Sequence, residues 1–512
     1  MKINELLEDI KILKAYNHKD LDINQIAYHS KNVDYGSIFV CIKGYQTDGH
    51  KYVEDAIKNG AAAIIVEDYQ EGLNIPQYVV SNSRKALSSL ADKFYGYPSK
   101  DMKVIGITAT NGKTTTTFMI NNILESYKLN TGLIGSVIIK YGEYAKPSYL
   151  TTPQSKDLQS ILYNMNNNDI THVCMEVSSS ALELNRVENV DYDIVSLHNI
   201  SSEHIDLHGS FEQYYNAKAR LIREAKSDAW AILNLDDKYS ASLLFETKAK
   251  VITYGIERKT GHISCNDLDL STGRAKFTVQ IKKPIIVDEM VYEKCEFPII
   301  LRTPGYHSVH NAMVAILVGL LNKVPIEIIQ KGLRTFGGVE RRFEIIYDED
   351  FIIIDDHFAN PGNIDVSLKT LKKMNFDDLK LVYALRGNRG ITVMRDVANT
   401  IIKWAPKLGI NEIITSLSKS YTTSKDEVMK EEIEVFNSVL ANGGIKVRMF
   451  EELEDAVFKG LKEIKEGDVL MLAGCQGMDM GAKIALEQIY KMKPNKNEKI
   501  LFAPIEKRVA GC

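Results

Sequence analysis

The chain has 512 residues, 45% of them hydrophobic and 25% charged, and a formal net charge of −4. That length exceeds one hydrophobic core and fits about three domains of roughly 100–200 residues. The near-balanced charge argues against a nucleic-acid or anionic-lipid binder.

The six cysteines (Cys41, Cys174, Cys265, Cys295, Cys475 and Cys512) include no CxxC pair. This argues against a disulfide framework or zinc ribbon and fits a reducing cytoplasm. The N-terminal MKINELLEDIKILK is amphipathic and mixed in charge, unlike a signal peptide. No apolar run approaches the ~18 residues of a membrane span.

Apolar β-branched runs alternate with helix-like stretches along the whole chain. Strands are predicted at 61–67, 103–109, 172–177, 192–200 and 230–235, then at 351–356, 379–385, 412–415 and 468–474. Helical periodicity lies between them, as in 116–129. This is the pattern of parallel sheets covered by helices, an α/β fold. Residues 250–300 carry short alternating segments that read as a small antiparallel sheet. Gly, Pro and Ser cluster at 96–101, and paired glycines stand in TFGGVERR (335–342); both are candidate joints. The expected division is 1–100, 101–337 and 338–490, with 491–512 as a loosely attached tail.

The predicted strand at 103–109 runs into Thr110-Asn111-Gly112-Lys113-Thr114-Thr115. A strand, a short Gly/Thr loop and a helix opening on Gly-Lys-Thr form phosphate-binding architecture. Backbone N–H groups and the helix dipole meet the anion, the lysine reaches the β- and γ-phosphates, and the threonine hydroxyl is placed for Mg²⁺. The usual P-loop spacing would put glycine at 107, where this chain has Ile107. From the loop alone, a turn that binds nothing is the competing reading.

The neighbouring motifs decide between them. Leu150-Thr151-Thr152-Pro153, EVSSSALELNR (176–186), HNISSEHIDLHGSFEQYYNAKARL (198–221) and the N-terminal HSKNVDYGSIFVCIKGYQTDGHKYVEDAIKNGAAAIIVE (29–67) follow in order. With the TNGKTT loop, this set resembles the Mur ligase family, most closely its MurE branch, over about residues 1–490. The resemblance implies three domains: a uridine-nucleotide-binding α/β domain, a P-loop ATPase domain and a C-terminal Rossmann-like domain. It implies an ATP-dependent ligase that activates a carboxylate as an acyl phosphate and joins it to an amino acid. The expected substrates are a UDP-linked muropeptide and an amino acid, handled by a cytoplasmic monomer with no nucleic-acid or membrane partner.

Residue roles follow only from the resemblance. Lys113, Glu176, His204 and Lys218 are the implied catalytic set, and Thr114, Glu176, His204 and carbamylated Lys218 the implied ligands of two Mg²⁺ ions. ATP is implied to contact Thr110, Asn111, Gly112, Lys113, Thr114, Thr115, Asn234, Asp236, Asn311, Arg342 and Asp356. The sugar-peptide side is implied at Ser30, Thr151, Thr152, Ser178 and Arg186, with Arg389 at the acceptor side. Taken without the family, Lys218 reads as a surface lysine, His204 as a loop histidine and Glu176 as a strand-end carboxylate.

The chain departs from the branch pattern mainly near its C-terminal end. Lys31, Ala109, Ser180 and Leu184 are modest changes. Further on, V-D-Y-A-H-T-P becomes Val-free Ile354-Asp355-Asp356-His357-Phe358-Ala359-Asn360-Pro361, and G-G-D-R-D becomes Arg386-Gly387-Asn388-Arg389-Gly390. Leu417-Ser418-Lys419-Ser420 stands where D-N-P-R is expected, and Gly474-Cys475-Gln476-Gly477-Met478-Asp479 replaces G-K-G-H-E. Unpaired buried polar groups cost roughly 1–3 kcal/mol each, so a site built for diaminopimelate would not simply lose these partners. An acceptor other than diaminopimelate is expected. Two further readings stay open: a ligase for a non-peptidoglycan acid, and a non-catalytic nucleotide-binding subunit.

Overall fold

The computed structural model describes the chain except residues 45–46, 202–207, 271–273, 425, 507 and 509–512. The chain divides into two compact units, Met1–Lys113 with Lys128–Thr253, and Thr114–Tyr127 with Tyr254–Cys512.

The first unit opens with β1 (Ile12–Tyr16), β2 (Gln25–Ala27), β3 (Ser37–Val40), β4 (Ala61–Val66) and β5 (Gln77–Val80). Their order is β1-β5-β4-β3-β2, parallel except for edge strand β1. A second sheet follows, from β6 (Lys103–Thr108), β7 (Thr131–Ile134), β8 (Ile138–Tyr141), β9 (Tyr144–Pro147), β10 (His172–Glu176), β11 (Tyr192–Leu197) and β12 (Trp230–Asn234). Strand β6 lies between β10 and β11, all parallel, while β7, β8 and β9 form an antiparallel meander. The central strands are buried on both faces, which is why they read as unbroken apolar runs rather than alternating ones. Helices are punctuated by side-chain caps: Asn82 accepts from Lys85 N at 2.9 Å, and Ser210 from Gln213 N at 3.1 Å.

Asp92 lies near the end of helix Ser83–Phe94, 5% exposed, with one carboxylate oxygen lacking a partner among the described residues. Burial, only partly opposed by the Lys100 ammonium, pushes its carboxyl up to about 7. The folded chain thus holds this proton more tightly than the unfolded chain, so stability falls as pH rises from the ordinary carboxylate range to about 7. Asp92→Asn is expected to raise the thermal midpoint by a few degrees at pH 8 and to match the parent at pH 4. Parallel midpoint-versus-pH curves for the two proteins would refute this.

Strand β13 (Lys250–Gly255) crosses the boundary between units. In the second unit it pairs in parallel with β14 (Ile263–Asp269), and β14, β15 (Arg274–Ile281) and β18 (Glu296–Pro304) continue antiparallel. A hairpin of β16 (Ile285–Val287) and β17 (Met290–Tyr292) lies between them in sequence. Helix Tyr306–Leu321 is buried nearly all round, and helix Lys113–Ser126 packs in this unit through Ile123, close against Gly319 and Gly332.

The last sheet comprises β19 (Glu344–Asp348), β20 (Ile352–Asp356), β21 (Leu379–Ala384), β22 (Glu412–Ser416), β23 (Lys446–Phe450) and β24 (Val469–Gly474). Its order is β19-β20-β24-β21-β22-β23, parallel but for β19.

The tail expectation needs correction. Leu501, in helix Glu498–Phe502, is buried in a core cluster with Ile346, Phe351 and Ile484. Arg508 is 8% exposed and ion-paired to Asp355 and Glu344. Phe502 and Ile505 pack on the same cluster, and Lys493 and Lys496 pair with Asp350 and Glu349, so several contacts anchor a segment whose polar composition read as loose.

Candidate active site

Strand β6 ends at the loop 109–112, and Gly112 there has φ +91°, a backbone that a side chain would strain. The segment leaving β11 clamps this loop. Thr110 N donates to Asn199 O at 2.9 Å. The Asn199 side chain accepts from Asn111 N at 3.0 Å and donates to Asn111 O at 2.8 Å. His198 Nε2 lies 3.0 Å from that same carbonyl, and Thr110 Oγ1 is 2.9 Å from the Tyr214 hydroxyl.

Two amines meet on one oxygen of this loop. Lys113 Nζ donates to Ala109 O at 2.9 Å and to Thr110 O at 3.0 Å, and Lys218 Nζ donates to Ala109 O at 2.8 Å. Lys218 is 2% exposed, on helix Phe211–Arg223, with its amine 5.0 Å from the centre of the Tyr214 ring. The surface-lysine reading therefore fails. Two like charges brought this close in a buried setting repel, and the arrangement favours an anion between them or loss of one charge.

Glu176 closes β10 in register with Ile107 of β6 and is fully buried. Its carboxylate accepts from Ser136 N at 2.7 Å and Ser136 Oγ at 3.1 Å. A Cβ at Gly135 would overlap Glu176 Oε1 and stand 3.1 Å from its Cδ, so the carboxylate lies directly on the glycine backbone. Thr152 Oγ1 donates to Glu176 O at 2.8 Å and accepts from Ser178 N at 3.0 Å, and Arg186 Nη1 donates to Thr152 O at 3.1 Å. Thr151 Oγ1 accepts from Ser136 Oγ at 3.1 Å. Thus Thr151, Thr152, Ser178 and Arg186 form one hydrogen-bonded group with Glu176.

Asn234 sits deeper: its amide donates to His198 O at 2.9 Å and accepts from Asp236 N at 2.9 Å, bracing the turn that clamps the loop. His204 lies outside the described residues. Among the described residues no cluster of three or more His, Cys, Asp or Glu side chains gathers as a metal site. Ser30 borders a cavity of about 630 Å³ lined also by Tyr28, Phe39, Asn59 and Arg84. Tyr28 donates to Asp157, which ties this cavity's wall to helix Ser155–Asn166.

In the second unit, Thr114 and Thr115 lie in the first turn of helix Lys113–Ser126. Asn311 is 1% exposed on helix Tyr306–Leu321, and its Nδ2 has no hydrogen-bond partner among the described residues. Asp356, at the end of β20, accepts from Phe343 N at 3.1 Å, His357 N at 2.9 Å and Ser367 Oγ. Burial raises its carboxyl despite Ser367 and the nearby Arg342 guanidinium. Arg389 Nη2 and Arg386 Nε share Asp426 Oδ1, at 3.3 and 3.0 Å. The turn carrying Arg389 is shaped by Glu432, which accepts from Asn388, Arg389, Gly390 and Met429 N–H groups at 2.8–3.1 Å. Burial alone would raise the Glu432 carboxyl, but these donors outweigh it and hold it low.

Residues 22–95 match the Mur ligase family catalytic domain, 107–319 the Mur ligase middle domain, and 341–476 the Mur ligase glutamate ligase domain. A UDP-N-acetylmuramoyl-L-alanyl-D-glutamate–2,6-diaminopimelate ligase of Halalkalibacterium halodurans is 33% identical over 482 residues, 93% of each chain. The protein of the same name from Bacillus velezensis is 33% identical over 485 residues, 93% of this chain and 94% of that one. The chain belongs to the Mur ligase family.

This Mur ligase is an ATP-dependent, ADP-forming ligase that joins an amino acid to an acid, with the three-domain α/β architecture expected from its motifs. In fold it is similar to MurF from Acinetobacter baumannii, with a TM-score of 0.64 at 20% identity over 94% of this chain and 97% of that one. A solved UDP-N-acetylmuramoyl-L-alanyl-D-glutamate–2,6-diaminopimelate ligase gives 0.65 at 20% identity over 94% of each chain. Ser136, Asn199, Tyr214 and Glu432 also build the site, and no motif role points to them. Asn199 stood within the quoted HNISSEH segment, where a polar residue leaving a buried strand was the available signal. Ser136 and Glu432 carry no local signal, because their partners lie far along the chain.

Proposed function

We propose that this Mur ligase uses ATP to phosphorylate the free carboxylate of a UDP-N-acetylmuramoyl-L-alanyl-D-glutamate-type substrate and joins an amino acid to it. The observation that carries this reading is the meeting of Lys113 and Lys218 on Ala109 O, at strand ends where Glu176 is also buried. The buried acid and the paired amines fit Mg²⁺ and phosphate chemistry. Glu176, Thr114, His204 and Lys218 as its carbamate are the ligands we assign to two Mg²⁺ ions. Bound Mg²⁺ neutralises the charge that builds on the transferring phosphoryl group.

The remaining work falls to the chain. Lys113 turns from the carbonyls of its own loop to the phosphates, and the Gly112 and Lys113 backbone amides hold them. The clamp by Asn199 keeps those amides preorganised, so little reorganisation accompanies phosphoryl transfer. Arg186 and the Thr151–Ser178 group orient the acid, and the cavity at Ser30 takes the uridine end. Asn311, Arg342 and Asp356 serve the nucleotide directly, and Asn234 and Asp236 serve it through the loop's support. An amine then attacks the acyl phosphate, the carbonyl carbon gains the new C–N bond, and phosphate leaves with the electron pair of the broken C–O bond.

The acceptor side departs from a diaminopimelate site. A fully buried Ser418 stands where an arginine motif is expected, and Arg386 and Arg389 share one carboxylate, that of Asp426. We assign a different amine as acceptor. Purified chain, ATP and UDP-N-acetylmuramoyl-L-alanyl-D-glutamate should release ADP and phosphate with at least one amino acid of a panel, and faster than with meso-diaminopimelate. No acceptor-dependent ADP with this acid would sink the substrate assignment and favour another carboxylate. ATP binding without turnover on any acid would favour the non-catalytic reading.

Asn311→Leu provides a second check. Removing a buried amide whose Nδ2 lacks a partner among the described residues should leave the thermal midpoint unchanged or higher. Losing one hydrogen bond to the nucleotide should raise the KM for ATP by about tenfold. A midpoint that drops with an unaltered KM would assign Asn311 to the scaffold alone.

A further inference from the structure

We infer that Arg508, near the C-terminal end, is a positioning residue for the loop Gly474–Asp479, acting through Asp355 and Arg341. Arg508 Nη1 pairs with Asp355 Oδ2 at 2.7 Å, and its Nη2 pairs with Glu344. The other oxygen of Asp355 lies 3.4 Å from Arg341 Nε. Arg341 in turn donates to Asp479, to Gly474 O and, at 3.1 Å, to Cys475 O. One guanidinium thus holds both ends of the loop that leaves β24, and Arg508 fixes the carboxylate behind it. All four groups at the centre, Arg341, Asp355, Arg508 and Glu344, are buried or nearly so.

The backbone shows the same dependence. Arg341 and Phe343 have φ +56° and +53°, conformations that cost about 1–3 kcal/mol each for residues with side chains. Glu344 accepts from Arg341 N at 2.9 Å and Asp356 from Phe343 N at 3.1 Å, holding that path. Arg508 is the cation that lets Glu344 and Asp355 remain buried together. Without it, the Arg341 guanidinium alone balances Asp355 and Asp479, Glu344 keeps only the Arg341 main-chain N–H, and like-charge repulsion pulls the arrangement apart.

This inference rests on the ligase reading for its kinetic arm, and has a second arm that does not. Cys475 Sγ of this loop accepts from Arg386 Nη1 at 3.6 Å, and Arg386 shares Asp426 with Arg389, the residue assigned to the acceptor side. In the full chain, Arg508→Ala should therefore raise the KM for the acceptor amino acid by about 10- to 100-fold, the worth of a charge-assisted bond. The KM for ATP should rise by less than the KM for the acceptor, because the loop Gly474–Asp479 carries none of the residues assigned to the nucleotide, although Arg342 lies in the path that loosens. Amide exchange should quicken at residues 341–343 and 474–479. Free guanidinium at low millimolar concentration, or Arg508→Lys, should restore part of the loss. Unchanged exchange at those two segments overturns the inference, as does quickened exchange with an unaltered acceptor KM. A uniform rise of every KM with a lower thermal midpoint and no guanidinium rescue also overturns it. Absence of ligase activity in the parent protein would remove the substrate assignment while leaving the exchange result decisive.

Discussion

Lys218→Ala is expected to lower ATP-dependent turnover by about a hundred- to a thousandfold, the order of loss when a group that stabilises transition-state charge is removed. The side chain is 2% exposed and its amine shares Ala109 O with Lys113. An ordinary ammonium there would add a second positive charge to a spot already held by one, whereas the carbamate we propose would supply an anion for Mg²⁺. Truncation leaves a small void beside Thr108 and Ala109, which short carboxylic acids such as acetate or propionate can enter. Partial recovery by these acids, and none by alkyl amines, is the outcome that supports a carbamate. Full activity in the variant, or recovery with amines instead, would show that Lys218 acts as a cation or only as packing.

Gly135→Ala is expected to cut turnover by about a hundredfold while leaving the fold intact, because it displaces one charged group by a fraction of an ångström rather than deleting it. A Cβ at this position would overlap Glu176 Oε1, and the carboxylate must rotate off its bonds to Ser136 N and Oγ to escape. The backbone here is not in the left-handed region reserved for glycine, so the penalty falls on the acid and not on the turn. Mg²⁺ dependence is the discriminating measurement: the concentration for half-maximal rate should rise with the KM for ATP less affected. A variant with ordinary turnover and Mg²⁺ response would remove Glu176 from the metal centre.

The sequence carried the central strands and the phosphate loop plainly. Parallel strands buried on both faces are continuous apolar runs, and Gly112 with Lys113 marks the turn from strand to helix. It also carried Glu176, Lys218, Thr152 and Arg186 as members of one region, but only through their order along the chain. What it did not carry is pairing over long distance. The Asn199 clamp exists because β11 lies beside β6, and Arg508 reaches Asp355 across 153 positions. Neither leaves a period or spacing to read. The tail misled for a related reason: its composition is polar, and its anchoring depends on residues such as Leu501 and Arg508 meeting a surface formed elsewhere.

The turn Asn388–Gly390 owes its path to a single acid borrowed from helix Lys430–Asn442. Because Glu432 grips main-chain amides, the side chain at Arg389 can be exchanged without redrawing the turn, although Asn388, at φ +56°, tolerates few replacements. A library randomised at that one position should therefore keep the turn on a fixed frame.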